Sequence, residues 1–174
     1  DPLSLRGSAT GVFVGVMAPT FPNRFFLHSA QTDRTTTSVD KLATMPAIWD
    51  RLTAAGIPGR YYFTDVPYTA LWGTRYLGIT RPILEFYAQA AVGALPPVSF
   101  VEPGFLGEAV PGLSQDEHPL ADIRLGQHFL NTVYNAVVSS PNWERTVFVI
   151  TYDEWGGFFD RVPPPVGPDP NPDL

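Results

Sequence analysis

Residues 146–160 read TVFVITYDEWGGFFD, an apolar, β-branched run that stops at Asp153 and Glu154 and passes at once into Gly156 and Gly157. TVFVITY is apolar at nearly every position, as expected of a strand covered on both faces. The residues before it, 119–139, carry Ile123, Leu130, Val133 and Val137 on one side of a predicted helix that leads through SPNWER into the run. The same alternation repeats toward the N-terminus. Pro46 suits the first turn of a helix with Ile48, Leu52 and Ala55 at i, i+4 and i+7, Gly56 and Pro58 stop it, and RYYFTD, residues 60–65, follows as a strand. Thr80 is placed to cap a helix with Ile83, Phe86, Tyr87, Ala90 and Ala91 on one face, and PPVSFVEP follows as another strand. GVFVGVMAP, residues 11–19, reads as a buried first strand, and TFPNRFFLHSAQTD after it as a turn and a short ordered segment. Strands alternating with helices predict an α/β fold with a mostly parallel sheet flanked by helices.

Two segments break the rhythm. FTDVPYTALWGTRYLG is aromatic and interrupted by Pro and Gly, which predicts a long loop packed over the sheet. PPPVGPDPNPDL places six prolines in twelve residues and is expected to be extended, outside any helix or sheet. No internal repeat is visible.

A chain of 174 residues with 44% hydrophobic content is long enough for one domain with a real core. The net charge of −6, a pI near 4.9 and the lack of any basic run argue against nucleic acid or an anionic membrane surface as the main partner. With no cysteine, disulfide scaffolds, thiolate zinc sites and cysteine nucleophiles are excluded. No stretch approaches the length of a membrane span. The start, DPLSLRGSATG, has neither Met nor signal-peptide character, so the chain reads as a piece that opens within a longer protein.

In open α/β sheets ligands bind outside the carboxyl ends of the strands, where Asp153 and Glu154 are expected. Two carboxylates followed by two glycines suit a hard divalent cation or general acid/base work; the plainer alternative is a solvent-facing turn with Glu154 paired to Arg161. His118, just before Pro119 at the entrance of a predicted helix, could meet a phosphate oxygen or a metal, with the first-turn N–H groups favouring an anion, or could be a capping or surface histidine. His28 follows the apolar RFFL, and His128 lies within a helix and takes no role. Adjacent carboxylates on an extended strand point apart, which disfavours a glycosidase. No G-x-S-x-G elbow, P-loop or G-x-G-x-x-G is present.

Taken together, PTFPNRFFLHSA, AIWDRLTAAGI with RYYFTD, and DEHPLADIRLGQHFLNTVYNAVVSSPNWERTVFVITYDEWGGFFDRVPPP resemble the bacterial phosphoesterase family that includes non-haemolytic phospholipase C and the related acid phosphatase. The resemblance covers about residues 11–165. It implies an alkaline-phosphatase-like α/β fold, present as an incomplete domain over 1–165 that lacks its N-terminal part, with a Pro-rich segment at 166–174. It also implies a metal-dependent phosphoric ester hydrolase, secreted or periplasmic, acting on a phospholipid or a small phosphomonoester. By that resemblance Asp153 and Glu154 stand where the family binds a divalent metal, and His118 and His28 where it contacts the phosphoryl group or leaving oxygen. Two positions depart from the pattern. Arg161 occupies a place usually held by histidine, and the family's Asn/Glu metal motif and Ser or Thr nucleophile, expected upstream of PNR, have no match in the chain. The alternative is a non-catalytic binding domain, or an inactive fragment, that keeps the fold and offers VPYTALWGTRYLG as a contact surface.

Overall fold

The structure, a computed structural model, describes residues 14–107 and 112–158. They belong to two compact units: one drawn from Asp1–Ser38 and Val149–Leu174, the other spanning Val39–Phe148. Part of the first expected strand and the Pro-rich segment at 166–174 lie outside the described residues, as does Arg161.

The larger unit is α/β. Its sheet has three parallel strands in the order β2-β1-β3, with β1 at Gly59–Phe63, β2 at Thr80–Pro82 and β3 at Val98–Glu102. Tyr61 lies beside Thr80 on one side and Phe100 on the other. Successive side chains of β1 alternate between faces. Tyr61 stacks on Phe100 with centroids 4.9 Å apart and meets the edge of Trp49 from α2, Ile48–Ala54. Tyr62, on the opposite face, meets the edge of Phe86 from α3, Ile83–Ala91. That face is closed by Phe129, Val133 and Val137 of α4, Ile123–Val138. The unit is therefore helix on sheet on helix, with its core formed by the i, i+4, i+8 stripe of α4 against Phe86 and Tyr62. Among the described residues, no helix is long and apolar enough to cross a membrane.

The aromatic segment expected as a loop does pack over the sheet, as a short 3₁₀ helix, Tyr68–Trp72, followed by β2. Its anchor is Glu102, 1% exposed at the end of β3, whose carboxylate accepts from the Tyr61 hydroxyl and from the Tyr68 N–H at 3.1 Å. Removing the carboxylate leaves two donors buried, so Glu102→Leu is expected to cost about 2–4 kcal/mol in urea unfolding. Glu102→Gln, which keeps an acceptor, is expected to cost less.

Three expectations are corrected. Thr80 does not cap α3. It lies in β2, its hydroxyl donating to the Tyr76 carbonyl at 2.8 Å, and α3 starts after Pro82, whose ring presets the required φ. Residues 14–19 form bends rather than strand, and TFPNRFFLHS is helical as α1, Thr20–Ser29. Asn23 explains why: its Oδ1 accepts from the Val16 N–H at 3.0 Å while its Nδ2 donates to the Ala18 carbonyl at 2.7 Å, folding the preceding residues back onto the helix. Finally, residues 146–152 form no strand. Val147 is 88% exposed and Val149 73%, Phe148 alone of the three packs against the core, and among the described residues no strand pairs with this run. Composition makes a strand possible; pairing makes it one.

Candidate active site

Asp153 and Glu154 occupy a bend rather than a strand end, followed by Gly156 at φ +66° and Gly157 at φ +72°, left-handed conformations that glycine adopts without strain. Both carboxylates are half-buried. Asp153 Oδ1 accepts from the Glu154 N–H at 3.1 Å, and Glu154 Oε2 accepts from the Gly156 N–H at 2.7 Å. Each acid thus uses one oxygen to fix its own turn. For Asp153 this leaves Oδ2 outside any hydrogen bond among the described residues, which fits a hard cation that prefers oxygen donors. Among the described residues no group of three or more such ligands comes together, so the pair can supply part of a coordination sphere.

His28 belongs to the same unit. It projects from the last turn of α1 into the interior, 3% exposed. Burial, reinforced by the Arg24 guanidinium, pushes its pKa down to about 3. The imidazole is therefore neutral across the physiological range. Nearby, Arg34 is buried against the Phe25 ring, 4.6 Å from its centroid, and ion-pairs with Asp33 at 2.7 Å.

His118 belongs to the larger unit, in the segment that leads from β3 into α4. It opens a turn in which the Ala121 N–H donates back to the His118 carbonyl at 2.9 Å. Pro119 sits second in that turn and Leu120 third, at φ +79°. Pro in the second place and a positive φ in the third are the marks of a type II turn, whose third residue is usually Gly. A leucine there stores backbone strain, and such strain clusters at functional sites. His118 Nδ1 lies 2.9 Å from the Pro119 carbonyl oxygen, which can only accept, so Nδ1 carries the hydrogen of this bond. One N–H of the first turn of α4, the expected anion site, is already used. Asp122 caps that helix, accepting from the Arg124 N–H at 3.0 Å, and the Arg124 side chain holds the Asp122 carboxyl down at about 2.

Sequence reasoning overlooked Asp116 and Gly126. Among the described residues Asp116 Oδ1 and Ser114 Oγ are buried without a hydrogen-bond partner, a costly state that native proteins confine to a few positions. DEHP held the signal, since it placed Asp116 two residues before the histidine. Gly126 has no local motif. A Cβ there would lie 2.5 Å from Glu117 Cγ and 2.9 Å from the Asp116 carbonyl oxygen, so α4 has a glycine where the histidine-bearing segment crosses it. Gly126→Val is expected to displace residues 116–118 and cost about 1–3 kcal/mol in thermal or urea unfolding.

A family model described as "Phosphoesterase family" matches residues 68–174, more than half of the chain. The chain belongs to the phosphoesterase family. The match includes His118, Asp153 and Glu154. Among similar proteins, Non-specific phospholipase C6 of Arabidopsis thaliana is 36% identical over 92% of this phosphoesterase chain and 32% of its own length. Non-specific phospholipase C1 of the same plant is 35% identical with the same coverage. Phospholipase C A of Mycobacterium tuberculosis strain H37Rv is 37% identical over 51% of the chain and 16% of its own length. The chain spans about a third of the length of the plant relatives, and its likenesses extend beyond bacteria.

Proposed function

We propose that the protein to which this chain belongs hydrolyses phosphoric esters with the help of a divalent metal ion, and that its substrates are phosphodiesters of the phospholipid type. The observation that carries this reading is that one family match spans both the His118 segment and the Asp153–Glu154 bend. That the similar proteins are named phospholipases C supports this substrate class.

Each group has a role its surroundings support. Asp153 and Glu154 would hold the metal, with Asp153 Oδ2 offered to it. When bound, such an ion neutralises charge on the phosphoryl oxygens and lowers the pKa of an attached hydroxyl. His118, oriented through Nδ1, would present Nε2 to the leaving oxygen and, when both ring nitrogens carry hydrogen, give the Nε2 proton to that oxygen as the ester bond breaks, returning to the neutral ring. His28, neutral and buried, acts as an uncharged hydrogen-bonding partner rather than as a cation toward phosphate. The attacking hydroxyl is assigned to no residue of this chain.

The test is hydrolysis of phosphatidylcholine and of p-nitrophenyl phosphate by the full-length protein, with and without a chelator. Diester turnover that the chelator abolishes and added metal restores is the expected result. Folded protein that hydrolyses neither substrate would overturn it in favour of a non-catalytic binding domain.

A further inference from the structure

We propose that Asp65, just beyond the carboxyl end of β1, is a positioning residue for His118: together with Gln115 it sets where the segment bearing the imidazole lies against the ends of β1 and β3. The inference rests on the reading of His118 given above.

Asp65 is half-buried, and both of its oxygens serve backbone N–H groups. Oδ1 accepts from Val66 at 2.6 Å, which an ordinary turn aspartate would also do. Oδ2 accepts at 2.8 Å from the N–H of Leu106, 41 residues along the chain. Among the described residues no Lys or Arg pairs with it, and its hydrogen bonds go to backbone N–H groups alone. Between these partners lies Gly104, where a Cβ would stand 3.2 Å from Asp65 Oδ2, 3.3 Å from Thr64 Cγ2 and 3.5 Å from Gln115 Oε1. The Gly104 carbonyl accepts from the Gln115 N–H at 2.6 Å, and the Gly104 N–H donates to Gln115 Oε1 at 3.4 Å. Thr64 closes the clasp by donating to the Glu102 carbonyl at 3.0 Å. Asp65 is thus tied to Leu106, the chain runs from Leu106 back to Gly104, and Gly104 is bonded to Gln115, three residues before His118. On the other side, Asp116 and Glu117 rest against Gly126, and Gln127 donates to the Glu117 carboxylate. His118 follows directly on these two anchors. Without Asp65, Leu106 loses its acceptor and the Gly104–Gln115 pair is free to drift, carrying the imidazole with it. Displacement of about 1 Å at a catalytic group costs on the order of 100-fold in rate.

The test is a double-mutant cycle in the full-length phosphoesterase, with kcat and KM measured on phosphatidylcholine for wild type, Asp65→Ala, His118→Ala and the pair. Asp65→Ala is expected to lower kcat about 100-fold with KM within about threefold, and to cost nothing further in the His118→Ala background. Asp65→Asn, which keeps one acceptor, is expected to recover much of the loss. The chain has three histidines, so the His118 ring signal can be assigned by its disappearance in His118→Ala, and it is expected to shift in Asp65→Ala. An equal loss in both backgrounds, or full kcat in Asp65→Ala, would overturn the inference. If His118→Ala itself keeps full turnover, the catalytic reading of His118 fails. The ring signal then decides the positioning separately: a shift in Asp65→Ala upholds it and an unmoved signal rejects it. Should Asp65→Ala not fold, Asp65→Asn and Gln115→Ala carry the same comparison.

Discussion

Asp153→Asn in the full-length phosphoesterase is expected to lower kcat on the order of 10³-fold while leaving the thermal midpoint within a few degrees of wild type. The two effects separate because the carboxylate uses its oxygens differently. Asp153 Oδ1 fixes the bend by accepting from the Glu154 N–H, and an asparagine oxygen accepts that bond equally well. Oδ2 has no partner among the described residues, and there the substitution replaces an anionic donor with an NH₂ group. Glu154→Gln tests the second acid in the same way, since a glutamine oxygen can still accept from the Gly156 N–H. Metal affinity, read by calorimetry, should fall with turnover in both variants. Unchanged kcat in Asp153→Asn would remove the acidic pair from the mechanism.

The protein is expected to lose stability on mild acidification, and His28 is the reason. Its native pKa, near 3, lies below the ordinary value of 6.5, so between those limits the unfolded chain binds a proton that the native state refuses. Stability from the neutral imidazole is fully present above pH 6.5 and falls as pH drops toward 3, by about 1.4 kcal/mol for each pH unit. The carboxylates titrate mainly below pH 5, so the window from 6.5 to 5 isolates the histidine. Urea unfolding at pH 7, 6 and 5 should show that slope in the wild type and a flatter one in His28→Asn. Parallel slopes would show that His28 takes up its proton in the folded protein. The same experiment bears on chemistry, because an imidazole that stays neutral can hydrogen-bond to phosphate without adding positive charge.

Much of the α/β pattern was legible locally. α2, α3 and α4 follow their apolar periodicity to within a few residues, and RYYF and VSFVE are strands because flanking helices cover both faces of a short parallel sheet. The run at 146–152 shows where such reading stops. Its composition is as strand-like as that of β1, yet strand formation depends on a neighbour's N–H and C=O groups, which lie elsewhere in the chain and leave no local signature. PNR is the converse case, since a buried Asn that ties a loop to a helix looks in sequence like a turn residue.

The chemical groups follow the same division. From the order of residues alone came the α/β class, the acidic pair beside two glycines, the histidine before Pro119 and the likeness to phosphoesterases, because side-chain identity and short spacings are properties of the chain itself. Tertiary structure decided what those groups are able to do. Burial made His28 neutral, a bend rather than a strand end left Asp153 Oδ2 without a partner among the described residues, and Asp122 capped the helix that follows His118. Charge state, orientation and reach depend on which distant atoms exclude water or supply a hydrogen bond. Those neighbours, such as Leu106 for Asp65, are set by the fold and by no local stretch of the sequence.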